Sequence, residues 1–528
     1  MKRPPIIIIN PDEMRSDAMG HMGNPQALTP VLDDFAASQA VSFRSAYCQN
    51  PVCVPSRCSF LTGLYPHTRG HRTMSYLLRE GETSLFKELK DAGYYVWMNA
   101  RNDLVAGQID GLAASHADEI YYGETRQKID PAMIGRMFSS QKKEDPFPYS
   151  HFSGLSRFPM DSDLQDTKAA IERILHPVDE RPLCLFLGWV NPHPPYQVEE
   201  PYYSAIKRDG SWKRIPYTKT RNKSRMIQRL REENGMDTYS PQQWEELRAV
   251  YLAQCYKVDT MFGMIIDALK EAGIYDDSAI FFLSDHGDFA GDYDMTEKAQ
   301  NTFEDCLTKV PLLIKPPKGE AVDPGIADGL TELVDFYATA LDYAGVTPSQ
   351  DHFGRSLRPL ITDRRVKNRD FVTCEGGRMS YETQADEYHA GSEGGGAYAA
   401  RQKIQTEADA HEKGTMIFDG RYKYVHRLSG NCELYDLQND PEECANIYDD
   451  VKDSPIITDL RLKLLDHYQA TSDVVPYDYD SRFTAERVFT SAQAFCPEGK
   501  EEELLAFIRS AHPSITQAIA YAMRIKRE

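Results

Sequence analysis

The sequence predicts an α/β fold built on a mostly parallel sheet with helices on both faces. Three observations carry that expectation. Short runs such as Ile6–Ile9 and Ala279–Leu283 are apolar throughout rather than alternating, as strands buried on both faces are. Helical stretches with recognisable starts and glycine stops separate these runs. Polar clusters follow the runs directly, at the strand ends where sites form in open α/β sheets.

The elements follow in order. Pro5–Asn10 reads as a buried strand. Thr29-Pro30 marks a helix start, with Asp33 and Asp34 in its first turn. A strand is expected near Val41–Ala46, a helix over Thr83–Ala92 stopped by Gly93, and a strand over Tyr94–Met98. An amphipathic helix over Asp161–His176 leads into the strand Leu183–Val190. Pro241–Ala272 is a long helical stretch closed by Gly273, followed by the strand Ala279–Ser284. Val310–Lys315 is a further strand, and Leu330–Ala344 a helix with Gly345 behind it. After about residue 365 strands shorten (Phe371–Cys374, Tyr422–His426, Glu433–Asp436) and turn signals multiply, which predicts a smaller antiparallel sheet. Residues 379–415, with Gly394–Gly396 in their middle, read as a long mobile loop. Glu501–Ser510 and Ser514–Arg527 read as helices. The expected division is a catalytic α/β domain over 1–365, a small C-terminal α+β subdomain over 366–475, and a helical extension over 476–528.

Bulk properties exclude some classes. Net charge is −20, the opposite of the basic face a nucleic-acid binder needs. The run Ile6–Ile9 is too short for an export signal, and no later run approaches a membrane span, so a cytoplasmic protein with no membrane partner is expected. Ten cysteines show no paired metal spacing and read as free thiols of a reducing compartment. An acidic protein that takes an anionic substrate needs a local positive field. Residues 207–231 hold ten Lys or Arg against one acid, Asp209, and follow the His193 loop; they read as a solvated basic loop or as that field.

Several clusters can carry chemistry. Cys53 precedes Pro55 and an expected helix start over Ser56–Leu61, near a helix N-terminus where the dipole and Arg57 favour an anion; the segment also reads as a buried cysteine in a turn. Asp12 and Glu13 are adjacent carboxylates at a strand end, suited to a hard cation or to solvent. Asp285, His286 and Gly287 leave a buried strand together. His193 stands between prolines that hold it out of any helix. His67 and His71, just after the Cys53 segment, are candidates to line the same pocket.

The string Cys53–Gly63 (CVPSRCSFLTG) resembles the signature of the sulfatase family, C-x-P-S-R-x-x-x-L-T-G, with Cys53, Pro55, Ser56, Arg57, Leu61, Thr62 and Gly63 at its fixed positions. The resemblance runs from about residue 5 to 450, ending in ELYDLQNDPEE. It implies an alkaline-phosphatase-like fold with a small C-terminal sheet. It also implies that a maturase converts Cys53 to formylglycine, whose hydrate attacks sulfur. By the same resemblance Asp12, Glu13, Asp285, His286 and the modified residue 53 hold one divalent metal. Ca2+ is the default for oxygen ligands, and His286 also suits Mn2+. Glu13 departs from the usual Asp or Gln. His193 would assist the leaving group, and Lys298, ten residues beyond Asp288, would bind a sulfate oxygen. Gly93–Leu104 aligns with a family segment reading G-K-x-H; Arg101 replaces its lysine and Asp103 its histidine. Arg101 can still cradle an oxyanion, and Asp103 would bind a substrate hydroxyl or orient Arg101. The implied reaction is hydrolysis of a small-molecule or saccharide sulfate ester. The alternative is a phosphonate monoester or phosphodiester hydrolase of the same superfamily. The C-terminal helices leave a homo-oligomer open.

Overall fold

The computed structural model describes residues 3–123, 152–156, 162–210, 213–387, 398–475, 484–511 and 513–525. An eight-stranded sheet lies at its centre. Its order is Gly325–Ala327, Val41–Phe43, Leu312–Lys315, Ala279–Leu283, Ile6–Asp12, Leu183–Pro192, Tyr95–Asn99, Glu119–Tyr121. The central strand Ile6–Asp12 pairs in parallel with Leu183–Pro192 on one side and Ala279–Leu283 on the other. Its alternate residues feed two separate cores. Ile6 and Ile8 pack with Phe186 and Phe281, and Ile7 and Ile9 with Leu185, Leu187 and Phe282. The helices Cys53–Thr62, Leu85–Asp91 and Val334–Ala344 contribute to the first core. Pro30–Ser38, Ser162–Leu175 and Pro241–Glu271 contribute to the second. That two-sided cover is why the strands read as unbroken apolar runs.

One strand runs against the rest. Leu312–Lys315 is antiparallel to both Ala279–Leu283 and Val41–Phe43. The loop after Leu283 carries Asp285, His286 and Lys298 and then returns at the same end of the sheet, which reverses the next strand.

The predicted elements recur with small shifts. Val41–Ala46 is two short strands, Val41–Phe43 and Ala46–Tyr47. Pro30 opens its helix, but Thr29 makes no cap bond and instead accepts from Gly20 N–H and donates to Asp33. Ser84 and Ser240 do cap their helices, the latter in a reciprocal capping box with Gln243. The C-terminal sheet is antiparallel, in the order Val372–Gly376, Gly414–Phe418, Tyr422–Arg427, Glu433–Asp436. The expected mobile loop over 379–415 is corrected in its described parts. These include the helix Ala399–Ile404 and the start of the strand Gly414–Phe418. Gly394–Gly396, Asp161 and Arg527 lie outside the described residues.

Met1–Thr347 and His352–Ser472 form one compact unit, and Pro348–Asp351 with Asp473–Glu528 a second. The expected boundary near 365 does not separate compact bodies. Val372, Cys374, Met416 and Phe418 from the antiparallel sheet belong to the same core as Phe43 and Tyr47. In the second unit Ala485–Ala492, Glu501–Ala511 and Ile515–Ala522 share a small core of Val488, Leu504, Ile508 and Ala518. Among the described residues no helix is long and apolar enough to cross a membrane.

Candidate active site

The site forms where the central strands end. Asp12 closes the first strand, and Glu13 follows with φ 69°, a left-handed backbone that is rare for a residue with a side chain. The two adjacent carboxylates reach different partners. Asp12 faces Cys53 and His286; Glu13 faces Lys298 and His193.

Cys53 is the first residue of the helix Cys53–Thr62, behind an extended Val52. Its buried Sγ lies 3.1 Å from His286 Nε2 and 3.4 Å from Asp12 Oδ1. Burial, reinforced by the Asp12 charge, pushes the thiol pKa well up. An unmodified Cys53 is therefore held protonated and is a poor nucleophile.

Arg57 lies one turn along the same helix and is fully buried. Its Nε donates to Asp285 Oδ2 at 2.8 Å, its Nη2 to Asp12 Oδ2 at 2.9 Å, and its Nη1 to the Arg101 carbonyl at 2.7 Å. The guanidinium is thus committed to clamping two carboxylates and one loop. Arg101 also bonds Asp12 Oδ2. Burial alone would raise the Asp12 pKa, but Arg101 and Arg57 outweigh it and hold the carboxyl well below the usual range.

Asp285 Oδ1 accepts from the backbone N–H of Glu13 (3.2 Å) and of His286 (3.0 Å). Ser56 Oγ donates to the Asp285 carbonyl at 2.6 Å. His286 Nδ1 lies 2.9 Å from the Gly287 carbonyl, which places its proton there. Its Nε2 then faces Cys53 and Asp12. Gly287 has to be glycine, because a Cβ would strike the Cys306 carbonyl.

Ligand atoms of Asp12, Cys53, Asp285 and His286 all lie within 4.8 Å of one another and are buried. Two carboxylates and an imidazole with its Nε2 turned inward fit one divalent cation. Glu13 is not a member of that group, although its Oε1 is buried with no hydrogen-bond partner. A second potential set, Asp12, Glu13 and His193, already contains a cation. Lys298 Nζ sits there, 2.8 Å from Glu13 Oε2 and 2.6 Å from His193 Nε2.

His193 Nδ1 lies 2.6 Å from the Pro194 carbonyl, and its Nε2 accepts from Lys298. Burial and the Lys298 charge lower its pKa to about 3, so the ring is neutral at pH 7. Arg101 and Asp103 are the more open members, with 24% and 27% of their side chains exposed. Asp103 has φ 47°, and its Oδ2 is 3.7 Å from Arg57 Nη1.

His67 and His71 do not join this group. His67 is held by Glu375 at 2.7 Å and Thr471 at 2.9 Å, and His71 by Glu82 at 3.1 Å and the Tyr76 carbonyl at 2.9 Å. Both are held by these partners instead. The basic stretch 207–231 is corrected as well. Among the described residues at least seven of its cations pair with acids, among them Lys223 with Glu304 and Arg229 with Glu407. Those pairs offset much of the expected local field. Sequence reasoning missed Asp288, which accepts from Tyr196 and Ala290 beside the cluster. The signal was its place in the DHGD string. It also missed Arg401, which no local pattern marks.

The model of the sulfatase family matches residues 4–346, a span that contains every member of this cluster. The chain belongs to the sulfatase family. Among relatives of this sulfatase is Arylsulfatase K of Xenopus laevis, 26% identical over 479 residues, covering 84% of this chain and 79% of the relative. Another is the multifunctional alkaline phosphatase superfamily protein PehA of Trinickia caryophylli, 25% identical over 514 residues, covering 88% of this chain and 95% of the relative. The sulfatase also superposes on the phosphonate monoester hydrolase of Agrobacterium radiobacter, with a TM-score of 0.68 at 21% identity and coverage of 91% and 99%. A 2-O GAG sulfatase gives a TM-score of 0.64 at 20% identity, covering 91% of this chain and 96% of its own. The fold is therefore alkaline-phosphatase-like.

Proposed function

We propose that this sulfatase hydrolyses a sulfate ester to an alcohol and sulfate, through Cys53 after a maturase has converted it to formylglycine. One observation carries the reading. Residue 53 stands at a helix N-terminus with its Sγ, whose place the aldehyde oxygen takes on conversion, 3.1 Å from His286 Nε2 and 3.4 Å from Asp12 Oδ1, inside the donor cluster. The modified residue would supply a hydroxyl nucleophile, and a divalent ion, which Asp12, Asp285 and His286 would hold with Glu13 nearby, would supply Lewis-acid polarisation. The ion we propose is Ca2+, because carboxylate oxygens dominate; the imidazole of His286 suits Mn2+ as the competing choice.

The protein's own groups do the rest. Arg57 holds Asp12 and Asp285 in place. Lys298 brings an ammonium to the sulfate oxygens and offsets their developing charge. The Lys298–His193 pair, joined by the hydrogen bond from Lys298 Nζ to His193 Nε2, assists the leaving oxygen. Arg101 offers a second cation at the more open edge, and Asp103 beside it accepts from a hydroxyl of the alcohol.

The decisive measurement is the mass of the peptide containing residue 53 from cells with an active maturase. Conversion removes about 18 Da relative to cysteine. An unmodified peptide from active enzyme would sink the mechanism. His286 in the donor set favours a second reading, hydrolysis of a phosphonate monoester. Comparing kcat/KM on matched aryl sulfate and aryl phosphonate esters decides between the two. A preference for the phosphonate overturns the first reading.

A further inference from the structure

Lys298 sits on a buried segment, Glu297–Asn301, that is neither helix nor strand. Glu297 has φ 57°, a left-handed backbone that its surroundings must enforce. Those surroundings include a distant stretch of chain. Asn301 Nδ2 donates to the carbonyls of Ala410 and Glu412 at 3.0 and 3.1 Å, and Arg427 Nη2 to the Asn301 carbonyl at 2.8 Å. Gln300 bonds Glu387, and Gly376 passes so close to the Gln300 carbonyl that a Cβ there would collide. Arg401, on the helix Ala399–Ile404, makes the contacts nearest the lysine. Its Nη2 donates to the Lys298 carbonyl, and the same nitrogen lies 3.0 Å from Glu297 Oε2. It lies beyond residues 4–346, the span of the family match.

We infer that Arg401 is a positioning residue for Lys298, holding the lysine's backbone so that its ammonium stands between Glu13 and His193. The inference rests on the reading of Lys298 as the group that meets the charge on the sulfate. Lys298 Nζ has partners at 2.8 and 2.6 Å, so a small backbone displacement takes the ammonium out of register with both. Displacements of that order, made from a distance, cost up to roughly a hundredfold in rate. Arg401 need not touch substrate to matter.

The test uses the modified, metal-loaded enzyme on an aryl sulfate and compares Arg401→Gln, Arg401→Lys, Lys298→Ala and the double variant Lys298→Ala/Arg401→Gln. Arg401→Gln should lower kcat about 10- to 100-fold with KM changed less than about threefold. Arg401→Lys should recover part of the loss, because an ammonium still reaches the carbonyl. With Lys298 already removed, Arg401→Gln should cost nothing further, the signature of two residues acting through one interaction. If Arg401→Gln has parental kcat, or costs as much with Lys298 absent as present, the inference fails while the function stands. If Lys298→Ala keeps parental kcat/KM, the role given to Lys298 fails, and the inference with it. Should Arg401→Gln not fold, Glu297→Gln loosens the same clamp from its other side and is judged by the same comparisons.

Discussion

At the scale of single residues, the site is an exercise in charge balance inside a buried pocket. Asp12, Glu13 and Asp285 are offset by Arg57, Arg101 and Lys298, while burial keeps His193 neutral. Replacing the convertible residue by Cys53→Ala should abolish turnover, by about 10³-fold or more, and leave the thermal midpoint close to parental, as thermal denaturation and steady-state rates would show. Arg57→Ala should behave differently. It strands two buried carboxylates and should cost roughly 3–5 kcal/mol, read as a lowered denaturant midpoint. A variant that unfolds like the parent would show that the clamp is not structural. Much of this chemistry is legible in the sequence because the signature is local. Cys53, Pro55 and Arg57 announce themselves within five residues, and Asp285-His286 follows a strand. The direction in which Glu13 points, and the commitment of Arg57 to carboxylates rather than to substrate, depend on neighbours more than 40 positions away.

At the scale of elements, ties between helices and strands decide where those residues stand. Asp259, in the middle of the helix Pro241–Glu271, accepts from the backbone N–H of Leu32 at 2.8 Å and Val31 at 3.2 Å, and so caps the start of the helix Pro30–Ser38. Burial raises its pKa from 3.8 to about 7, against the two N–H donors that favour the charge. A folded-state pKa above the unfolded one means a contribution fully present below pH 4 and lost as pH rises through 7. Asp259→Asn cannot ionise. The stability of the parent relative to this variant should therefore fall between pH 4 and 8, by a few kcal/mol at most (~4), in urea titrations across that range. A pH-independent difference would contradict the assignment. Element recognition from the sequence succeeded where apolar runs were long and flanked by caps or glycine. It passed over Pro455–Thr471, although Ser454-Pro455 marks its start and Ile457, Leu460, Leu464 and His467 are buried at helical spacing. It could not find Gly414–Phe418, a five-residue strand made by its two neighbours rather than by its own pattern.

At the scale of the whole molecule, the donor cluster joins parts of the chain that are far apart: Asp12 from the first strand, Cys53 from a helix, Asp285 and His286 from beyond the strand Ala279–Leu283. An ion bound there stabilises the native state alone. Chelation should lower the thermal midpoint by a few degrees, corresponding to about 2.7 kcal/mol when the ion was present at a hundred times its Kd. Metal analysis of the dialysed protein should find close to one ion per chain, and a His286→Ala variant should hold less. An unchanged midpoint after complete chelation would mean that the cluster binds no ion. What the sequence by itself determined is the reaction family and the architecture. Both are written locally, in an eleven-residue signature and in apolar runs whose two-sided burial dictates their composition. What only the tertiary structure decided is how charges and loops are used. Many cations of the basic stretch 207–231 pair with acids distributed through the fold, His67 and His71 are held by Glu375 and Glu82, and the Lys298 carbonyl accepts from Arg401 more than 100 positions away. The physical reason is that an ion pair or a carbonyl clamp is defined by distance in space, and nothing in the local pattern of a lysine or arginine records which partner folding will bring to it.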